Sequence, residues 1–527
     1  MGVLTGDYAP LFCCVEHCAD DGRARGHRLY PVDRRCERQF LYVEVGEQLD
    51  AEFDALCSAR RPVHTRHENR GAYKLAGLTP GEPVGQSKGK TVTRRSAPPR
   101  MDVLEVAARA TETGPVCDAC LGRLVADRSF GLSNAERGSA LRVGLALRED
   151  ADFEPVATAD CWVCEGRCAT HDEWARRAAA AVDAVEFATY NVGTRPPPLI
   201  AENEALLREE AGLDADAGEP FKSAFNREVG KRVGTHTDAT VSFERPDVQF
   251  TIDLAADELE TTVNSTFIYG RYRKLERDIP QTEWPCRECA GSGRQGADPC
   301  DHCGGSGYLY DDSVEEYVAP VVEDVLDGTA ATFHGAGRED VDALMLGTGR
   351  PFVIEVDEPR RRRADLDRLE SDINAFADGA VEVEGLRHAT YEMVERVKSL
   401  DAAKRYRATV EFGAPVDEAE LAAAADRLTG ATVEQYTPKR VDHRRANLTR
   451  EREVYAVETT RESPTRATVD VHGAGGLYIK ELISGDDGRT EPSLAGLLNV
   501  AATVAALDVL AVEGEAEPFE REDFFRD

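Results

Sequence analysis

The chain has 527 residues, 42% of them hydrophobic, which is too long for one ordinary core and apolar enough for two to four domains. Its net charge of −33 taken alone argues against a nucleic-acid partner. The longest apolar stretches, such as 504–512, are too short to cross a bilayer and no basic start leads into an apolar core, so the composition predicts a soluble cytoplasmic protein with no membrane segment.

Only 10 of the 64 basic residues are Lys, leaving 54 Arg. An acidic surface nearly stripped of lysine looks like adaptation to a salty cytoplasm, where high charge preserves solubility. The acid then belongs to the host, and the placement of the arginines says more than their total. Fourteen cysteines in an intracellular chain suggest metal before disulfides.

Residues 1–100 carry a net +3, so the remainder carries −36. Cys13, Cys14, Cys18, Cys36 and Cys57 show no repeated C-x-x-C spacing, and 85–100 reads as a polar, basic linker. One reading is a small extra domain in which Cys14, Cys18, His17 and His27 bind metal. The favoured one sets the native start at Met101, where a helix pattern opens, because so long a structureless segment is unusual in a compact protein.

Cys117-x-x-Cys120 and Cys161-x-x-Cys164 supply four thiolates, the set a tetrahedral structural zinc takes, with no position left open for catalysis. A helix between them is announced by Ser133-x-x-Glu136 as a capping box. Thr170-x-x-Glu173 reads as another, starting an Ala-rich helix with Trp174, Ala178, Val182 and Val185 on one face. An acidic helix over 201–210, a basic one over 221–233 and an alternating strand over 248–254 predict a small α+β domain.

Residues 267–277 interleave aromatics with Arg271, Arg273, Lys274 and Arg277. Such a segment suits RNA, cations meeting phosphates and rings stacking on bases, and equally suits a strand with one basic face. Cys286-x-x-Cys289 and Cys300-x-x-Cys303, each followed by x-Gly-x-Gly, form a second zinc pattern, shared with the zinc region of J-domain chaperones over about 22 residues.

Asp340 then lies in a glycine-punctuated loop with Arg338, ahead of a second glycine turn at Gly347 and Gly349 and an apolar strand. A carboxylate so held can act as nucleophile, base or metal ligand. Arg360 to Arg363 are consecutive and precede a helix over 365–376. A strand runs from Lys404 to Phe412, basic residues cluster at 437–445, and Tyr478 and Lys480 are spaced for one face of a strand. The last dozen residues are acidic and read as frayed. There is no Walker loop, no dinucleotide fingerprint and no Ser-His-Asp signature, so no nucleotide cofactor is expected.

Gly337-Arg-Glu-Asp340 resembles the Gly/His-Arg-x-Asp loop of pseudouridine synthases. The runs 270–275, 277–282 and 347–352, with Trp284-Pro-Cys, Arg440-Val-x-His443-Arg-Arg and Tyr478-Ile-Lys-Glu-Leu-Ile-Ser-Gly-Asp, are similar to the archaeal-eukaryotic Pus-ten family of tRNA pseudouridine synthases. The likeness runs from about 101 to about 510 and is strongest over 270–285 and 337–352. It implies an α+β chain: an N-terminal zinc-knuckle and THUMP-type RNA-binding domain over 101–255, then a pseudouridine synthase mixed-sheet catalytic domain over 256–515 with the knuckle 286–307 inserted. Residues 1–100 stay unassigned and 516–527 form an acidic tail.

The resemblance also implies chemistry. Asp340 is the essential carboxylate, attacking C1′ of uridine as nucleophile or removing its 2′ proton to give a glycal. Tyr406 and Tyr478 fall where the family has substrate-contacting tyrosines, Lys480 where a basic residue pairs with the catalytic acid, and Arg338 beside the substrate. Arg271, Arg273, Lys274, Arg444 and Arg445 are assigned to RNA. The substrate implied is the T-loop at the tRNA elbow, uridine 55 first and uridine 54 second, with no catalytic cofactor. Two other readings compete. A non-catalytic zinc-containing RNA-binding protein would not need Asp340. A THUMP methyltransferase would need a nucleotide-cofactor loop that is not found.

Overall fold

The computed structural model describes residues 102–440, 446–513 and 519–526. The readings made for residues 1–100, and for Arg444 and Arg445, lie outside the described residues.

The first body begins with α1 (Val103–Glu112), α2 (Asp118–Arg123), α3 (Asn134–Glu149) and α4 (His171–Ala181). Then follow β1 (Thr189–Arg195), α5 (Pro198–Glu210), α6 (Phe221–Thr237), β2 (Thr240–Val241), β3 (Val248–Asp253) and β4 (Glu258–Val263). The strands form one sheet in the order β2-β1-β3-β4, parallel except for the β3–β4 hairpin. Alternation along β3 sends Val248, Phe250 and Ile252 into the core beside Tyr190, Phe221 and Trp174. Cys117, Cys120, Cys161 and Cys164 belong to that same buried cluster.

Ser133 and Glu136 make the reciprocal capping box, Glu136 N donating to Ser133 Oγ at 3.2 Å and Ser133 N to Glu136 Oε2 at 2.6 Å. The box expected at Thr170 does not form. Thr170 closes a 3-10 turn with φ −95° and ψ 5°, and its hydroxyl donates back to Arg167 O at 2.9 Å.

The second body starts with β5 (Thr266–Lys274), then the small hairpin β6 (Arg294–Gln295) and β7 (Asp298–Pro299). It continues through α7 (Val314–Leu326), β8 (Ala330–Gly335), β9 (Leu344–Asp357), α8 (Leu366–Phe376), β10 (Val381–Ala389), α9 (Tyr391–Ser399) and β11 (Lys404–Phe412). It ends with α10 (Glu418–Leu428), β12 (Thr432–Tyr436), β13 (Thr449–Ser463), β14 (Arg466–Gly473), α11 (Ile479–Ser484), β15 (Thr490–Glu491) and β16 (Ala502–Val512).

These strands form a ten-stranded sheet in the order β10-β5-β9-β16-β11-β14-β13-β12-β15, with β8 on β9. The β9–β16 pair alone is parallel, so the sheet is mixed. One apolar cluster packs β5 and β9 against α7 and α8; another packs β11, β13 and β14 against α10 and α11. The seam between the two halves is where the chemistry-bearing residues meet.

Three expectations change here. Gly347 and Gly349 do not make a turn before a strand; β9 runs through both, with φ +57° and +68°. Tyr478 and Lys480 do not share a strand: Tyr478 is the N-cap of α11 and Lys480 lies in its first turn. Ile479, Leu482 and Ile483 are buried at helical spacing, and Gly485 at φ +81° ends the helix. The terminal segment is not frayed over 519–526. Phe519 is buried, Tyr269 OH donates to Glu520 at 2.7 Å, and Arg526 N donates to His388 O at 3.0 Å.

The arginine run 360–363 joins the two bodies. Arg362 is buried against Asp247 at 3.3 Å and donates to Asp247 O and Asn264 O, while Glu186 accepts from the backbone N–H groups of Arg362 and Arg363.

Candidate active site

The loop between β8 and β9 carries Asp340, and its backbone is pinned from three sides. Arg350 Nη1 donates to Ala336 O at 2.9 Å, Gln281 Nε2 to Gly337 O at 2.9 Å, and Lys274 Nζ to Val341 O at 2.9 Å. Gly337 has φ +75°, the left-handed conformation that favours glycine. Glu339 turns inward, 3.0 Å from Arg350 Nε with both side chains about 1% exposed, and accepts from Tyr272 OH at 2.9 and 3.0 Å. Burial first, then the Glu339 carboxylate, pushes the Tyr272 phenol well up, so it remains a donor.

With Glu339 anchored, Asp340 faces the other way, its side chain 31% exposed. Arg440 Nη1 donates to Asp340 Oδ1 at 2.9 Å, and Lys480 Nζ stands 3.2 Å from Oδ2. Each cation is itself held. Arg440 Nε donates at 2.7 Å to Glu481, whose side chain is 6% exposed; Lys480 Nζ donates to both oxygens of Asp342 at 2.9 and 3.0 Å. Burial opposes ionisation of the Asp342 carboxyl, but the Lys480 bonds win and hold it below its usual range.

The carboxylate opens on a cleft of about 730 Å³. Arg338, Tyr406, Tyr478 and Lys480, each singled out from sequence, line it, coming from the β8–β9 loop, from β11 and from the start of α11. Tyr406, on β11, has its phenol pushed up to about 12 by burial, with the Asp340 charge adding to it and Arg350 opposing. The Arg440 guanidinium lies 5.9 Å from the centre of the Tyr478 ring.

Sequence reasoning missed Arg440 as the direct partner of Asp340, though it stood in a quoted motif. It also missed roles for Glu481, which stood in the quoted Tyr478-Ile-Lys-Glu run, for Lys404, read only as the start of a strand, and for Asp342, two residues from Asp340. Burial, and after it Arg350, pushes the Lys404 ammonium down to about 8.

The family profile "Pus10, C-terminal" matches residues 267–513, and "Pus10 THUMP domain, archaeal" matches 174–253. A protein of Halorubrum lacusprofundi called tRNA pseudouridine synthase Pus10 is 81% identical over 427 residues, covering 81% of this chain and 100% of that protein. Its namesake in Methanothrix thermoacetophila is 40% identical, over 78% of this chain and 95% of its own length. In Methanocaldococcus jannaschii the figures are 36%, 76% and 92%.

The chain belongs to the Pus10 family.

In this Pus10-family chain the segment around β5 meets its own sheet rather than standing as a free basic face. Arg271 donates to the carbonyls of Thr348, Gly349 and Val512, and Arg273 pairs with Glu382 and Glu384 at 3.0 Å each. Lys274 has no exposed surface and donates to Ile279 O at 2.7 Å. The expectation that it touches RNA is therefore corrected: β5 is an inner strand between β10 and β9, so alternation points Tyr272 and Lys274 into protein.

Both cysteine quartets come together, with the four Sγ atoms of each within 4.8 Å of one another. Cys117 and Cys164 are 3.8 Å apart, as are Cys289 and Cys303, while Cys286 and Cys300 are 4.0 Å apart. Zn–S bonds of about 2.3 Å in a tetrahedron put sulfurs about 3.8 Å apart, so all-thiolate donor sets of this geometry fit structural zinc. Cys168 stands outside the first quartet, 4.0 Å from Cys120. In the second, a Cβ on Gly293 would meet Gly305 O at 2.4 Å and one on Gly307 would meet Gly291 O at 2.4 Å, which is why each C-x-x-C is followed by glycines. Among the described residues, no helix is long and apolar enough to cross a membrane.

Proposed function

We propose that this chain is a cytoplasmic tRNA pseudouridine synthase that isomerises uridine 55 of the T-loop, and also uridine 54, with Asp340 as the nucleophile. The observation that carries this reading is a carboxylate held between Arg440 and Lys480 at one wall of a cleft, in a Pus10-family chain. The cleft wall is rich in cations, including Arg338, Lys404, Arg450 and Arg452, although the whole chain carries −33. Local charge of that sign suits the phosphates of an RNA strand.

The target uridine leaves its stack to reach Asp340. An Asp340 oxygen takes C1′ as the C1′–N1 bond breaks, leaving the pair of electrons on uracil. The uracil turns, C5 attacks C1′ and displaces the carboxylate, and the C5 proton is lost while N1 gains one. The net change is an isomerisation, so no redox partner or catalytic cofactor enters. Arg440 and Lys480 offset the charge on Asp340 when it leaves. The Tyr406 phenol, pushed up to about 12, stays protonated, so it stacks on the loose base and donates to it instead of acting as a phenolate. Tyr478 and Arg338 complete the substrate wall. Cys117, Cys120, Cys161 and Cys164 hold one structural zinc, and Cys286, Cys289, Cys300 and Cys303 a second.

The test is pseudouridine formation in an unmodified tRNA transcript at high salt, with wild type and Asp340→Ala side by side. Conversion at 55 and 54 by wild type, lost in the variant, is the expected result. Undiminished conversion by Asp340→Ala would remove Asp340 from the chemistry. Tight binding without any conversion by wild type would instead favour a non-catalytic zinc-containing RNA-binding protein.

A further inference from the structure

We propose that Gln435 and Thr437, the polar end of the inward face of β12, are positioning residues that set Lys480 and Arg440 on Asp340. This rests on the reading of Asp340 as the nucleophile.

Alternation along β12 turns Val433 and Gln435 inward, and Thr437 continues that face one residue beyond the strand. The three are 0%, 1% and 0% exposed. Val433 packs in the apolar cluster with α10 and α11, but the next two positions on the face are polar. A buried polar side chain costs stability unless its atoms are paired. Here the pairing goes to the backbone of the two segments that carry the Asp340 cations.

Gln435 closes a two-way bond with Tyr478. Its Nε2 donates to Tyr478 O and its Oε1 accepts from Tyr478 N, both at 2.9 Å. That fixes the N-cap of α11, two residues before Lys480. Thr437 holds the loop that carries Arg440 from both ends. Its N–H donates to Leu448 O at 3.0 Å and its hydroxyl to Ala446 O at 2.7 Å. The hydroxyl oxygen accepts from Leu448 N and Arg450 Nη1 at 3.1 Å each, and the carbonyl accepts from Arg489 Nη1 at 3.0 Å. With one hydrogen given and two accepted, the hydroxyl is saturated. The Arg440 side chain is 37% exposed, so its aim at Asp340 depends on what holds its backbone. Apolar side chains would fill the same space in β12; what they would lack is these bonds.

The experiment uses the full chain, an unmodified tRNA transcript and two substitutions that keep shape but remove the bonds, Thr437→Val and Gln435→Met. Each should lower kcat for pseudouridine formation about ten- to a hundredfold, the cost of a small misplacement at a reacting centre, with KM changed less than about twofold. Thr437→Ser, which keeps the hydroxyl, should recover most of the loss. In an Arg440→Ala background Thr437→Val should cost nothing more, because the group it aims is already gone. A crystal structure of Thr437→Val should show Arg440 withdrawn from Asp340, and one of Gln435→Met should show Lys480 withdrawn. Wild-type kcat in either variant, or a cation still seated on Asp340 in its structure, would overturn the assignment of that residue, and so would a full extra loss from Thr437→Val on top of Arg440→Ala. If Thr437→Val does not fold, Gln435→Met still decides. A wild type that converts nothing sinks the catalytic reading, and the two variant structures then decide this inference by themselves.

Discussion

Glu339 and Asp340 are adjacent carboxylates with opposite fates. Glu339 is sealed against Arg350 and Tyr272, while Asp340 meets Arg440 and Lys480 at the edge of solvent. The inner acid pins the loop so that the outer one is aimed, and an ion pair buried on both sides is costly to break from one side only. Lys404, whose Nζ donates to Ala402 O at 3.2 Å, shows how the same wall handles a cation that burial disfavours. Its folded-state value is lowered from 10.5 to about 8. Between those two values the unfolded chain holds the proton and the folded chain does not, so stability rises with pH across that window. Below about 8 both states are protonated and the penalty is constant. Lys404→Met should therefore flatten the rise of Tm between pH 8 and 10.5 and raise Tm at pH 7; unchanged melting at both ends would show that Lys404 is not desolvated. The family resemblance implied the pairing of Lys480 with Asp340, but the Arg440 and Glu339–Arg350 pairings could not be read from the chain, because their members lie apart in sequence and only the folded loop before Arg440 and the start of α11 bring the two cations to Asp340.

The central element is β9, which joins the two halves of the mixed sheet through its parallel pairing with β16. Gly347 lies at that junction with φ +57°, and a Cβ there would sit 1.9 Å from Leu510 O. An L-residue in this conformation costs about 1–2 kcal/mol before any clash is counted. Gly347→Ala should lower stability by about 2 kcal/mol or more, as melting or denaturant midpoints would report, and a near-neutral result would mean that β16 can move aside. Elements whose pattern is local were legible beforehand: the alternating strand at 248–253, the capped helix at 134–149, the helix after Asp365 and both cysteine quartets. Elements set by their neighbours were not. Residues 478–483 carry apolar spacing compatible with strand or helix until Leu482 and Ile483 find the α10 cluster. The basic strand β5 could be assigned to RNA or to a sheet until β9 and β10 covered it.

At the scale of the whole molecule, the charge of −33 resides on a chain whose Asp340 cleft is rich in cations. Surface acids repel one another over about 10 Å at 0.1 M salt and only about 3 Å at 1 M. Tm should rise as KCl goes from 0.1 to 2 M, and a flat or falling Tm would mean that the acids do not strain the fold. Sequence by itself determined the local chemistry: which residues repeat at ligand spacing, where helices are capped, and that an Arg-x-Asp loop sits among glycines in a Pus10-like order. Those features depend on neighbours a few positions apart, so they survive without coordinates. Only the tertiary structure decided that Arg440 is the partner of Asp340, that Lys274 is buried, that 519–526 pack on the sheet and that Trp284 stands in the cleft wall. Each of those depends on which strands become neighbours, and strand order is set by burial of the whole sheet, not by any single stretch of it.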